Sequence, residues 1–304
     1  MEISPSSIAD FMRCRRLYGY RGAYEPRTTK TEFVLGRIVH SALESWYTGA
    51  EADPLEQVDR LVAREMVALQ YEPDYDPARL EEIHQLASAM VEGYMDQYQL
   101  EDPTGPDAEG VVMLAKEVSF KVPIPLTDGG VLKGRIDGLC YDRYGRYWIV
   151  ETKTYKSEPN SHDLNLQTLA YVWALNTDTA EPLRERYGMP SGARIQGSLY
   201  NGLRKQLPGP RVTKPLFMRS WVGRNREELR IFGHETLPEI HDDMAVQPVR
   251  VYPNYMFLCD HCEFRASCQA AQAGANEQYV LDSQYKRRSN REHRGEQEKG
   301  MVTN

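Results

Sequence analysis

Two short β-branched segments carry the residues with the clearest chemistry: Asp137 in Gly134-Arg135-Ile136-Asp137-Gly138, and Glu151 with Lys153 in Ile149-Val150-Glu151-Thr152-Lys153. Asp142 to Gly145 between them reads as a hairpin turn. With the turn centred on Tyr144, residues whose numbers sum to 288 face each other, so Asp137 and Glu151 become cross-strand neighbours with Cβ atoms ~5 Å apart. Lys153 shares the face of Glu151, because strand side chains alternate. Two carboxylates this close repel unless a cation lies between them, which points to a hard divalent metal with oxygen ligands. A lysine beside that metal orients or helps deprotonate a bound water, or neutralises charge developing on a phosphate. Alone, the same pattern also describes a surface ion-pair ladder. Trp148, Ile149 and Val150 make the Glu151 strand apolar on both faces and therefore buried, and a buried charge needs a partner or a metal.

These strands need a frame. Ser4-Pro5 opens a helix running to about Leu17, and helices are expected at 31–47, 54–70 and 77–100. The pattern then changes to a three-strand meander over 111–124, 131–141 and 147–154. Helices follow at 163–176 and 225–244, with strands at 194–201 and 216–222 between them. After Leu281 apolar residues almost vanish, so 281–304 reads as a disordered tail. No G-x-x-x-x-G-K-[ST] segment occurs, which excludes a P-loop motor.

Other residues gain meaning from their spacing. His40 follows Gly36 by four on a helix that is otherwise apolar on that side, where a satisfied core histidine is the plainer reading. Gln167 and Tyr171 share a helix face just beyond the lysine strand. Five cysteines are too few and too odd for a disulfide framework. Cys259, Cys262 and Cys268 have the spacing of thiolate ligands to one metal centre, with Cys14 the better fourth ligand because Cys140 lies inside a strand. Four thiolates suit zinc and a 4Fe-4S cluster equally.

In this order and spacing, Gly36 with His40, Asp137, Glu151-Thr152-Lys153 and Gln167 with Tyr171 resemble the RecB-like branch of the PD-(D/E)XK nuclease superfamily, over residues 4–268. The resemblance implies that His40, Asp137, Glu151 and the Thr152 carbonyl bind Mg²⁺ or Mn²⁺, that Lys153 is the catalytic lysine, and that Gln167 and Tyr171 support the site and the DNA strand. Glu117 is a candidate for a second metal, with a salt-bridged strand residue the plainer reading. One N-terminal and three C-terminal cysteines around these motifs are similar to the iron-sulphur members, among them CRISPR-associated RecB-like exonucleases and AddB-type subunits, and favour a 4Fe-4S cluster over zinc. Arg13-Cys14-Arg15-Arg16-Leu17-Tyr18 resembles their C-P-R-x-x-Y segment, with Arg15 where proline is usual.

The expected fold is accordingly α/β, a restriction-endonuclease-like core with a mixed sheet of about five strands flanked by helices, and with N- and C-terminal segments joined by the cluster. One domain spans 1–280, helical to about 105, catalytic over about 110–245, with the cluster segment at 250–270. The expected activity is metal-dependent DNA cleavage, exonucleolytic on single-stranded ends, in recombination, repair or CRISPR adaptation, alongside a protein partner from one of those processes. A nuclease-fold DNA-binding subunit and an iron-sulphur or zinc regulatory protein are the alternatives.

A formal charge of −7 hides an asymmetry. Residues 51–109 hold 16 acidic against 3 basic residues, while 13–37 hold 7 basic against 2 acidic and 194–226 hold 8 basic and no acidic ones. The two basic segments, Arg204 and Lys205 included, are the expected DNA path. Apolar runs such as 170–175 are far short of the ~20 residues of a membrane span, and no secretory signal is seen at the N-terminus, so a prokaryotic or phage-infected cytoplasm is expected.

Overall fold

The computed structural model describes residues 1–26, 31–49, 53–70, 76–102, 104–157, 162–246 and 252–288. The elements run β1 (Glu2–Ile3), α1 (Pro5–Arg13), α2 (Arg15–Ala23), β2 (Tyr24–Pro26), α3 (Thr31–Thr48), α4 (Pro54–Leu69), α5 (Pro77–Tyr98), β3 (Val112–Pro123), β4 (Val131–Tyr141) and β5 (Tyr147–Tyr155). They continue with α6 (Leu166–Leu175), α7 (Glu181–Arg186), β6 (Ile195–Arg204), β7 (Phe217–Gly223), α8 (Arg226–Ile231), α9 (Leu237–Ala245), α10 (Arg265–Gln272), α11 (Glu277–Gln284) and β8 (Tyr285–Arg287). Contacts group the chain into two compact units, Met1–Pro5 with Lys30–His241 and Ser6–Thr29 with Asp242–Asn304. Among the described residues no helix is long and apolar enough to cross a membrane.

In the first unit, Asp53 and Asp76 accept hydrogen bonds from the first backbone N–H groups of α4 and α5, and a proline follows each. The apolar stripes of α3, α4 and α5 close on one another through Ile38, Ala42, Val58, Val62, Met90 and Tyr94, joined by Leu203 and Phe217 from the sheet. The sheet has six strands in the order β1-β4-β5-β6-β7, with β3 on the other side of β4. It is mixed, as expected. The β3–β4, β4–β5 and β6–β7 pairs are antiparallel, and β5 and β6 are parallel with α6 between them in sequence. The hairpin register is the expected one, with Gly138 opposite Val150 and Leu139 opposite Ile149.

The helix expected over 225–244 is interrupted by a π turn at Phe232–Thr236. There the Gly233 backbone lies so close to the Trp173 indole that any Cβ would overlap it, which a wider turn and a glycine both permit.

In the second unit, β2 and β8 form an antiparallel ladder, and Leu17, Tyr20, Tyr24, Phe264, Leu281 and Tyr285 form a small core. Two expectations are corrected here. The single helix over 4–17 is two helices, broken where Cys14 takes an extended backbone. Residues 281–287 are no tail: Leu281 and Tyr285 are apolar anchors of this core, and their isolation in a polar stretch concealed them. The remainder of that segment, 289–304, lies outside the described residues.

Candidate active site

The paired strands separate just past Gly138 and Val150. At that point the Asp137 carboxylate takes the place of a ladder carbonyl and accepts the Thr152 backbone N–H at 2.8 Å. The same oxygen, Oδ2, lies 3.7 Å from His40 Nδ1, and the Thr152 backbone accepts a hydrogen bond from the His40 ring. Helix α3 thus delivers His40 to the tip of the two strands. The glycine four residues earlier is not demanded by space, since a Cβ on Gly36 would sit in ordinary contact 3.5 Å from Thr154 Oγ1.

Glu151 is 1% exposed and ion-paired through Oε1 with Lys153 Nζ, while its Oε2 has no hydrogen-bond partner. Burial, and then the negative charge of Asp137, push its carboxyl up to about 7 against the pull of Lys153. Burial lowers the affinity of His40 for a proton more than Asp137 raises it, so the ring is a neutral imidazole at neutral pH. For Lys153, burial favours the neutral amine, yet Glu151 and Asp137 together outweigh it and hold the ammonium above its ordinary range.

Gln167 and Tyr171 share one face of α6. Gln167 Nε2 donates to Tyr171 Oη at 2.9 Å, and Asn165 caps α6 by accepting the Thr168 N–H. Tyr171 packs edge-on against Phe120, and both rings crowd Gly134, where a Cβ would come within 2.9 Å of each. Gly134 is therefore what lets the Tyr171 ring reach β4. Burial and the charge of Glu151 keep the Tyr171 phenol protonated.

Glu117 is the salt-bridged strand residue, its Oε2 2.7 Å from Arg135 Nε. A second cation escaped the sequence reading: Lys116, on β3 opposite Gly138, lies over the Tyr47 ring at 4.0 Å. Burial brings its ammonium down to about 8 despite the opposing charge of Asp137. Its only sequence signal was a lysine flanking Glu117.

The basic segments are corrected in large part. Arg204 is buried; its guanidinium donates to the carbonyls of Pro215 and Lys156 and packs on Tyr155, so it offers nothing to a phosphate. Arg219 and Arg224 are equally enclosed, each 3% exposed. Arg21 pairs with Asp10 and Glu263, and Arg37 with Glu65. Arg194, Arg211, Lys214 and Arg226 stay exposed, and Lys205 is half-buried.

Cys14, Cys259, Cys262 and Cys268 line one cavity of about 190 Å³ in the second unit. The Asn254 backbone N–H donates to Cys14 Sγ at 3.4 Å and Arg16 Nη1 to Cys268 Sγ at 3.6 Å. Arg15, at the position where proline is usual, lies over the Phe11 and Tyr252 rings and pairs with Asp243. Cys140 is fully buried among Val111, Trp148, Val150 and Leu199, and burial pushes its thiol up to about 12, which leaves it a small hydrophobe. As they stand, no three His, Cys, Asp or Glu side chains among the described residues form a ready-made metal cage.

With two carboxylates, a histidine and a lysine gathered at the tip of a sheet, the comparison with known proteins is direct. The chain belongs to the PD-(D/E)XK nuclease superfamily, whose sequence profile matches residues 2–269. Members of that superfamily are typically phosphodiesterases that use Mg²⁺ or Mn²⁺, so the substrate is nucleic acid. A solved structure described as "Crystal structure of SSO0001" is similar over 86% of this chain and 96% of its own, at 15% identity and a TM-score of 0.32, too slight a likeness to bear on the argument. No curated protein matches the chain.

Proposed function

We propose that the protein is a RecB-like, metal-dependent DNA exonuclease acting on single-stranded ends. The observation that carries its nuclease chemistry is Glu151: a carboxylate 1% exposed, with one oxygen unpartnered, beside a second carboxylate and a lysine. A buried carboxylate with one oxygen unpartnered and a second carboxylate beside it is costly, and a divalent cation relieves the cost. His40, Asp137, Glu151 and the Thr152 carbonyl are the groups that would hold it: a neutral imidazole and three oxygens, a donor set suited to Mn²⁺ or Mg²⁺. Bound there, the cation supplies Lewis-acid activation of water and neutralises charge on the phosphodiester.

The chain's own residues do the rest. Asp137, fixed by the Thr152 N–H, keeps one oxygen in a set position. Lys153 remains an ammonium, so its part is to hold positive charge against the phosphate as negative charge builds, rather than to accept a proton. Gln167 and Tyr171 brace β4 from the far side of Gly134 and support the strand being cut.

A 4Fe-4S cluster in the second unit belongs to the same reading. Cys14, Cys259, Cys262 and Cys268 would hold it as a structural clamp. N–H donors aimed at Cys14 and Cys268 suit thiolate ligands. The single-strand preference, the exonucleolytic mode, a cytoplasmic site of action and a role in recombination, repair or CRISPR adaptation with a protein partner rest on the resemblance of the cysteine and carboxylate motifs. Incubation with Mn²⁺ and two single-stranded substrates, one linear and one a closed circle, tests the mode. The linear strand is expected to be degraded to short products and the circle to survive; equal cutting of both would mean an endonuclease.

The raised Glu151 carboxyl has a consequence for the metal-free protein. The folded state holds the Glu151 proton to higher pH than the unfolded chain, so this contribution to stability is complete below about pH 4.5 and is lost as pH rises through about 7. The loss is on the order of 3 kcal/mol. In EDTA the melting temperature is expected to fall between pH 5 and pH 8 by several degrees, and Glu151→Gln to remove much of that fall. An unchanged slope in Glu151→Gln would show that the carboxyl titrates normally.

A further inference from the structure

The first unit buries a polar network that the carboxylate chemistry does not use. At its centre is Arg219 on β7, 3% exposed and paired with the equally enclosed Asp107 at 2.7 Å. Its guanidinium lies over the Tyr98 ring at 3.7 Å and reaches Glu109 at 3.3 Å. Arg219 Nη2 also donates to Tyr47 Oη at 2.7 Å and to Tyr94 Oη at 3.0 Å.

The two phenols lie 2.7 Å apart, and Tyr94 Oη donates to Asn201 Oδ1 at 3.0 Å. Tyr94 has a single proton, so the proton between the phenols must come from Tyr47. Asn201 Nδ2 then donates to Thr152 Oγ1 at 3.4 Å. Every hydrogen bond in the chain from Arg219 to Thr152 therefore runs in one direction. Tyr47, Tyr94 and Asn201 are all buried. At the far end, Thr152 is the residue whose N–H holds Asp137 and whose backbone accepts from His40. Tyr47 lies seven residues, about two turns, beyond His40 on α3.

We infer that Arg219, Tyr47, Tyr94 and Asn201 are positioning residues of the metal site. The inference rests on the proposed role of His40 and Thr152 as ligands. One buried ion pair fixes two ligands that come from different elements: His40, through Tyr47 and the helix they share, and the Thr152 carbonyl, through Tyr94, Asn201 and the Thr152 hydroxyl. The β5–β6 ladder already holds the Thr152 backbone opposite Asn201; the Asn201 amide on the Thr152 hydroxyl tightens that same rung, and a shift there would disturb the N–H to Asp137 and the carbonyl direction together. Residues that orient ligands in this manner typically change metal affinity or activity 10- to 100-fold.

Tyr94→Phe and Asn201→Leu cut the run to Thr152, and Tyr47→Phe removes the contact to α3 while leaving Arg219 on Tyr94, each with little change in volume. Mn²⁺ binding is followed by the electron paramagnetic resonance of free Mn²⁺, alongside steady-state cleavage of single-stranded DNA and thermal melting. The expected result is Mn²⁺ affinity lower by tenfold or more in Tyr94→Phe and Asn201→Leu, kcat lower, KM for DNA unchanged, and melting within a few degrees of the wild type. Should Asn201→Leu not fold, the two phenylalanine variants decide. Wild-type Mn²⁺ affinity in folded Tyr94→Phe and Tyr47→Phe would overturn the positioning role while leaving the proposed site intact. A wild type that binds no Mn²⁺ would overturn the proposed site and this inference together.

Discussion

Asp137→Ala and Glu151→Ala are each expected to slow DNA cleavage by roughly 10³-fold or more while DNA affinity changes only a few-fold. The asymmetry follows from where the two groups stand. Both face the tip of the β4–β5 hairpin, where Asp137 is 25% and Glu151 1% exposed, so neither presents much surface to a nucleic acid. In the proposed site they supply negative charge for a cation, and removing either leaves a single carboxylate to balance a divalent charge. Lys153→Ala is expected to separate the two functions, with Mn²⁺ still bound and the rate lower by about 10²- to 10³-fold, since only a positive charge near the phosphate is lost. Single-turnover rates with filter-binding affinities on the same preparations provide the check. Near wild-type turnover in either alanine variant would remove that carboxylate from the site.

The second large effect concerns colour. Protein purified without oxygen is expected to be yellow-brown with about four irons per chain, and Cys14→Ala or Cys262→Ala to be colourless. Cys140→Ala should keep the colour, because that thiol is fully buried in an apolar pocket of the first unit. The second unit is not held by the cysteines alone. The β2–β8 ladder and the Tyr20, Phe264, Tyr285 core join segments more than 230 residues apart in the chain. Loss of the cluster is therefore expected to lower the melting temperature rather than prevent folding. A colourless wild type loaded with zinc, or a Cys14→Ala protein with its full iron, would contradict the assignment.

The active-site strands were legible because a short hairpin leaves little freedom: the turn at Asp142 to Gly145 sets the register, and register sets which residues face each other. Spacing alone left His40 a plain core histidine and Gln167 with Tyr171 an ordinary helix pair; it was the resemblance of the whole motif order that drew them toward the two strands. The basic segment was misread for a physical reason. Composition counts an arginine but not its partner, and Arg204, Arg219 and Arg224 are consumed by carbonyls, carboxylates and tyrosines of the fold. The break at Cys14 was hidden because Ile8, Phe11 and Met12 fit one continuous helix, whereas the cysteine's extended backbone accompanies a contact made 240 residues away, the Asn254 N–H on its sulphur. The run from Tyr47 through Tyr94 and Asn201 to Thr152 is likewise spread over α3, α5, β6 and β5, with no local spacing to betray it.

We propose that the Asp137–Glu151 tip is a metal-dependent nuclease centre. Its most direct test is cleavage of end-labelled single-stranded DNA by EDTA-stripped protein as Mn²⁺ is titrated back, with the Asp137→Ala protein alongside. The expected result is no cleavage without the metal, saturable recovery with it, and no recovery in the variant. Cleavage that persists in EDTA, or that Mn²⁺ restores equally in Asp137→Ala, would contradict it.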